Sequence, residues 1–120
     1  MEVERGEVYY ANLDPIIGSE QGGIRPVVVV QNDIGNKFST TTIAAVTTKD
    51  KRPDMPTHIR LDGTVEPLMD SVVLLEQIRT IDKLRLIKYI GKLSDTVMEQ
   101  IDEAFLISIG VIPIKTKFDK

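Results

Sequence analysis

Residues 18–32 read GSEQGGIRPVVVVQN, and the fold turns on how this stretch is parsed. Gly18 to Gly23 carries turn chemistry, whereas Pro26 to Gln31 (PVVVVQ) is a continuous β-branched run. Such a run predicts a strand buried on both faces, because a half-buried strand alternates polar and apolar residues. A glycine-rich loop therefore feeds a core strand and places Ser19, Glu20, Gln21 and Arg25 at its entrance. Glycines let backbone come close to a ligand. Arg25 offers a planar fork of donors suited to phosphate, and Pro26 holds the residue before it extended. On pattern alone the same stretch also fits a hairpin loop with a surface arginine.

Working outward, further strands are predicted at Gly6–Leu13 (GEVYYANL), Thr41–Thr48 (TTIAAVTT), Thr57–Leu61 (THIRL) and Ser71–Ile81 (SVVLLEQIRTI). Turn residues separate them: Asn32-Asp33 with Gly35-Asn36, Pro53-Asp54, and Asp62-Gly63. Asp82 can cap a short helical turn over KLRL, and Lys88–Leu93 reads as another strand. Ser94 is placed as the N-cap of a helix from Asp95 to about Ile109. Val97, Ile101, Ala104, Phe105 and Ser108 then form one stripe, and Gly110 stands where a C-terminal glycine cap belongs. No repeat or linker interrupts residues 1–120, so one domain is expected. Its class is α+β, mainly β: a small, strongly bent barrel or half-barrel with a C-terminal helix.

Composition removes several kinds of chemistry. The chain has 120 residues, 42% hydrophobic and 28% charged, as in an ordinary globular domain. It has no cysteine, which excludes disulfides, thiolate metal sites and cysteine nucleophiles. His58 is the only histidine, so no paired-histidine catalyst exists. It is also the only side chain with an ordinary pKa near neutrality, but its T-H-I-R setting reads as a structural or surface strand position. No G-x-S-x-G, phosphate-loop or HExxH pattern occurs. Asp95, Glu99, Asp102 and Glu103 lie on one predicted helix and read as a solvated face. No metal or other cofactor is expected. The acidic start MEVERGEV does not resemble a signal peptide. The longest apolar stretch, Ala104–Ile114, falls short of the ~20 residues a bilayer span needs. A cytoplasmic protein without membrane contact is the expectation. With three Tyr, three Phe and no Trp, base stacking is not expected to dominate any function.

The net charge of -3 first argues against nucleic acid. Its distribution changes that. Residues 1–23 carry one cation and five anions, residues 24–62 six cations and four anions, and residues 63–120 eight cations and nine anions. The only positive block surrounds Arg25. This predicts a restricted basic groove with few phosphate contacts and a shallow salt dependence. The anion-free run holding Lys83, Arg85, Lys88 and Lys92 reads as a solvated face.

Two other places can converge on Arg25. Thr47-Thr48 ends a predicted strand, and Gln77 and Arg79 share one face of the longest strand. Each alone fits a structural role. Together, RGEVYYANLDP, GSEQGGIRPVVVVQN, IAAVTT and DSVVLLEQIRTIDK resemble the MazF/PemK family of bacterial toxins, most of all its Gram-positive branch. The resemblance runs from Arg5 to about Ile112. It implies an SH3-like barrel of the CcdB/PemK type, assembled as a homodimer. It implies a metal-independent, sequence-specific endoribonuclease acting on single-stranded mRNA, with no DNA partner, and a MazE-like antitoxin that covers the RNA groove. By the family motif Arg25 is catalytic. The catalytic threonine maps to Thr47, with Thr48 as the alternative one register away, and Ser19, Gln21 and Gln77 map to RNA contacts. Two other readings share the fold: a non-enzymatic gyrase poison like CcdB, and a plain SH3-like interaction module. The module needs an aromatic groove that this chain is poorly equipped to build.

Overall fold

The computed structural model describes residues 2–49, 52–61, 68 and 70–114. Six strands form one antiparallel sheet: β1 (Glu7–Asn12), β2 (Ile24–Val29), β3 (Thr40–Thr47), β4 (His58–Arg60), β5 (Val72–Asp82) and β6 (Leu86–Lys92). One helix, α1 (Asp95–Ser108), follows. The sheet order is β4-β5-β3-β2-β1-β6, so β4 and β6 are its edges and the expected half-barrel is open. The predicted Asp62-Gly63 turn lies outside the described residues.

The β-branched run does what its composition demands. Val28 and Val30 join one apolar cluster, with Ala44, Val46, Leu75 and helix residues Met98 and Ile101. Val27 and Val29 join a second, on the opposite face, with Ile43, Ala45, Leu13 and Leu86. All four valines are at most 6% exposed. The helix covers only the first face. On the second face the strand residues pack with Val3 and Leu13 from the segments flanking β1.

Local signals set the ends of elements. The Ser94 hydroxyl accepts from the Val97 N–H at 3.3 Å, capping α1. Gly110, at φ +83°, ends it. Asp82 Oδ1 accepts from the Leu84 N–H at 2.9 Å and caps a single 3-10 turn, Lys83–Arg85. The predicted helical stripe needs one amendment. Met98 is buried along with Ile101 and Ala104, whereas the Ser108 hydroxyl bonds the Phe105 carbonyl of its own turn. A short 3-10 turn at Gly35–Lys37 replaces the plain turn expected there. Its Asn36 is buried and bonded to Gln31, Asp33 and Thr41.

Candidate active site

The loop between β1 and β2 is braced, not slack. The Leu13 N–H donates to the Gly23 carbonyl at 3.0 Å, and the Gly23 N–H donates to Asp14 Oδ1 at 2.9 Å. A Cβ at Gly22 would lie 2.7 Å from Ile16 Cδ1 and 2.8 Å from Asp14 Oδ1, so a side chain there would displace those two side chains. Gly23 sits at φ +74°, where other residues are strained. From the far side, Arg79 donates to the Leu13 carbonyl, and Arg85 donates to the carbonyls of Asn12 and Asp14. These bonds brace the loop that leads into Arg25.

Strand pairing brings Arg25 to Thr47. Val27 pairs with Ala45. The paired register ends there, and just beyond it Arg25 and Thr47 line the same cavity. Thr48 has the opposite parity. The Arg25 guanidinium is anchored through Nε–H to the Gly22 carbonyl at 2.8 Å and through Nη1 to the Val46 carbonyl at 3.2 Å. An arginine has five donors, so most of this fork, Nη2 included, is left for a ligand. The Thr47 oxygen accepts from the Lys49 N–H at 3.1 Å, which leaves its O–H as a donor.

Gln77 arrives by a device that the sequence does not announce. Along β3 and β5, Ala45 pairs with Leu74 but Ala44 pairs with Ile78. Leu75, Glu76 and Gln77 are therefore extra residues in a bulge, a feature that re-aims side chains beside functional sites. The bulge is clamped at both ends. Glu76 accepts from the Thr57 hydroxyl at 2.9 Å and lies 2.7 Å from His58 Nε2. Gln77 Oε1 accepts from the Gln21 N–H at 3.3 Å, which leaves the Gln77 amide NH2 as a donor. His58, with a side chain only 6% exposed, thus helps to hold the bulge from β4.

These pieces meet in one groove of about 420 Å³. Ser19, Gln21, Arg25, Thr47 and Gln77 all line it, whereas Glu20 and Arg79, also singled out from sequence, line a separate small cavity instead. Thr48 does not line it; it faces a neighbouring cavity of about 270 Å³ that Arg25 and Thr47 also reach. The groove adds Lys49, Arg52, His58 and Glu76. Lys49 and Arg52 had no sequence signal beyond the positive charge of their block. Three cations now surround the cavity, and its carboxylate, Glu76, is engaged by Thr57 and His58. The cationic run at 83–92 is used differently: Lys83 bonds the Asn36 carbonyl, Arg85 braces the loop, and Lys92 pairs with Glu4 at 3.2 Å. Among the described residues no three His, Cys, Asp or Glu side chains gather as metal ligands, and no helix is long and apolar enough to cross a membrane.

Comparison with known proteins decides the lineage. Residues 4–109 match the family model described as PemK-like, MazF-like toxin of type II toxin–antitoxin system. The chain belongs to the PemK/MazF toxin family. Among curated relatives, it is 54% identical over 114 residues to Endoribonuclease EndoA of Bacillus subtilis, covering 93% of this chain and 98% of that one. MazF from Deinococcus radiodurans has the same fold, with a TM-score of 0.81 at 22% identity over 92% of this chain and 98% of that one. An endoribonuclease from a mycobacterial species, solved with its cognate antitoxin, aligns at a TM-score of 0.77 and 26% identity, covering 92% and 97%. The PemK/MazF signature thus spans every element that builds the groove.

Proposed function

We propose that this PemK/MazF chain is an endoribonuclease toxin that cuts single-stranded mRNA at the groove around Arg25. The observation that carries the reading is the convergence of Arg25, Thr47, Ser19, Gln21 and Gln77 on one cavity. The relative named an endoribonuclease, matched over nearly its whole length, supports it. The family match leaves the gyrase-poison reading without support.

The chemistry follows from the donors. RNA carries its own nucleophile, the 2′-hydroxyl. As the 2′-O–P bond forms, that oxygen gives up its proton. The P–O5′ bond then breaks and the 5′-oxygen takes up a proton. The products are a 2′,3′-cyclic phosphate and a 5′-hydroxyl, and no metal is required. The remaining Arg25 donors face the extra charge on the phosphorane, where preorganised donors act most strongly. A guanidinium keeps its charge, so Arg25 is a charge stabiliser and not the base. The Thr47 O–H donates to a phosphate oxygen. Ser19, Gln21 and the Gln77 amide contact bases splayed out of a single strand, the usual mode of RNA readout.

The same reading includes a homodimer, a MazE-like antitoxin partner, a cytoplasmic setting and no DNA substrate. Exposed apolar residues at the helix end, Ile109 at 59% and Val111 at 64%, support self-association. Light scattering of a monomer at micromolar concentration would remove the dimer. The main test is cleavage of RNA by purified protein in EDTA. Activity persists in the wild type and falls at least ~100-fold in Arg25→Ala, as for loss of a transition-state donor. EDTA-sensitive cutting, or an active Arg25→Ala protein, overturns the mechanism.

A further inference from the structure

The groove around Arg25 is cationic except at one point. Among the described residues that line it, Arg25, Lys49 and Arg52 are positive and Glu76 is the one carboxylate. A carboxylate beside a polyanion weakens binding, so its presence calls for a reason. Bracing the β5 bulge is not a sufficient one. Glu76 Oε1 accepts from the Thr57 hydroxyl at 2.9 Å, and Oε2 lies 2.7 Å from His58 Nε2. A neutral glutamine oxygen accepts such bonds without bringing charge.

The partner supplies the reason. His58 is the only histidine, and imidazole is the side chain that ordinarily changes charge between about pH 5 and 8. His58 pairs across β4 and β5 with Leu74, which also lines the groove. The helix packs on the opposite face of β4, where Ile59 points. The two halves of the pair are placed differently: the His58 side chain is 6% exposed and that of Glu76 is 41% exposed. The carboxylate meets solvent in the groove, and the imidazole stands against it, largely covered. The charged groups that share the groove with His58 are Glu76 from β5, Lys49 and Arg52 from the β3–β4 connection, and Arg25 from β2.

We propose that His58 is a positioning residue that acts through Glu76: it holds the carboxylate on the bulge and, when protonated, cancels its charge toward bound RNA. With the imidazole protonated the pair is neutral, and the three cations face the RNA backbone unopposed. With the imidazole neutral the pair carries one negative charge, and RNA is held more weakly. Affinity for RNA therefore falls as pH rises through the titration of His58. The inference rests on the ribonuclease reading for its ligand, and binding and cleavage test the two separately.

The experiment is fluorescence anisotropy of the full chain with a labelled, non-cleavable 2′-deoxy oligonucleotide from about pH 5 to 8. Wild-type affinity is expected to fall several-fold as pH rises, and less so at high salt, as for one charge near a phosphate in solvent. His58→Gln, which cannot take up the charge, is expected to hold the high-pH affinity throughout. Glu76→Gln at about pH 8 is expected to bind as tightly as the wild type at about pH 5. Thr57→Val loosens the same bulge without touching the charge, and is expected to keep the pH dependence. A purely structural pair would give the reverse, with all three variants weakened and no change of slope with pH. Wild-type affinity that is flat with pH, or a fall that survives His58→Gln, overturns the proposal. So does Glu76→Gln that binds no more tightly than the wild type at about pH 8, a result readable even if His58→Gln fails to fold. Binding that loses its pH dependence in His58→Gln, in a protein that cuts no RNA, upholds the pair and sinks the ribonuclease reading. EDTA-resistant cleavage with affinity flat in pH does the opposite.

Discussion

Arg25 and Arg85 make similar contacts and do different things. Each binds two backbone carbonyls: Arg25 those of Gly22 and Val46, Arg85 those of Asn12 and Asp14. Arg25 uses Nε and Nη1, so its backbone partners grip the base of the fork and aim Nη2 outward. Arg85 places Nη1 on both carbonyls and becomes a brace for the loop. Cation density along the chain does not separate them: Arg85 sits in an anion-free run with three lysines, whereas Arg25 is a lone cation among glycines and valines. What separates a substrate cation from a structural one is which of its donors the backbone occupies, and the cavity that the rest face.

The largest test of that contrast after Arg25 itself concerns its partner. Thr47→Val keeps the shape and removes the O–H that faces the groove. RNA cleavage is expected to fall roughly 100-fold, as for loss of one donor to a developing oxyanion, with the thermal midpoint little changed. Thr48→Val, on the opposite face of the strand end, is expected to stay within a few-fold of wild type. The reverse order in single-turnover assays would assign the role to Thr48. Arg85→Ala should show the opposite signature. Its partners lie at the surface, so stability is expected to drop by about 1 kcal/mol, read by urea denaturation. Activity should fall less than in Thr47→Val.

Much of this was legible in the sequence, and the reasons differ by element. Residues 26–30 read as a doubly buried strand from their β-branched run, and Ser94 and Gly110 bracketed the helix with standard end chemistry. Parity favours Thr47 over its alternative Thr48: Arg25, Val27 and Val29 share a face, as do Ile43, Ala45 and Thr47, while Thr48 borders a second cavity that Arg25 also reaches. The sequence offered Gln77 as one of the places that can converge on Arg25, and the family resemblance mapped it to RNA contact, but neither showed how it arrives. Its position depends on the Leu75–Gln77 bulge, which exists because the Leu75 N–H bonds the Thr57 carbonyl and Glu76 is held from β4. Those partners lie about twenty residues away, so no local pattern records them. His58 read as a strand residue, which it is. That it also borders the groove follows from β4 being the edge next to the bulge. Lys49 and Arg52 look like any surface cations until the fold places them around the cavity.

The smallest expected effect divides the two sets of cations most cleanly. For single strands, each neutralised phosphate contributes a slope of about 0.7 in log affinity against log salt. Three groove cations, Arg25, Lys49 and Arg52, therefore predict a total slope near ~2 for a non-cleavable 2′-deoxy oligonucleotide. Lys49→Ala should flatten that slope by ~0.7. Lys83→Ala should leave it unchanged, because Lys83 is bonded to the Asn36 carbonyl away from the groove. A wild-type slope of ~5 or more would require RNA to lie along the 83–92 run as well. Arg85 would then have a second role, and the distinction between it and Arg25 would fail. A slope near ~2 that responds to Lys49 and not to Lys83 would mean that a chain of net charge -3 concentrates its usable positive charge in one cavity.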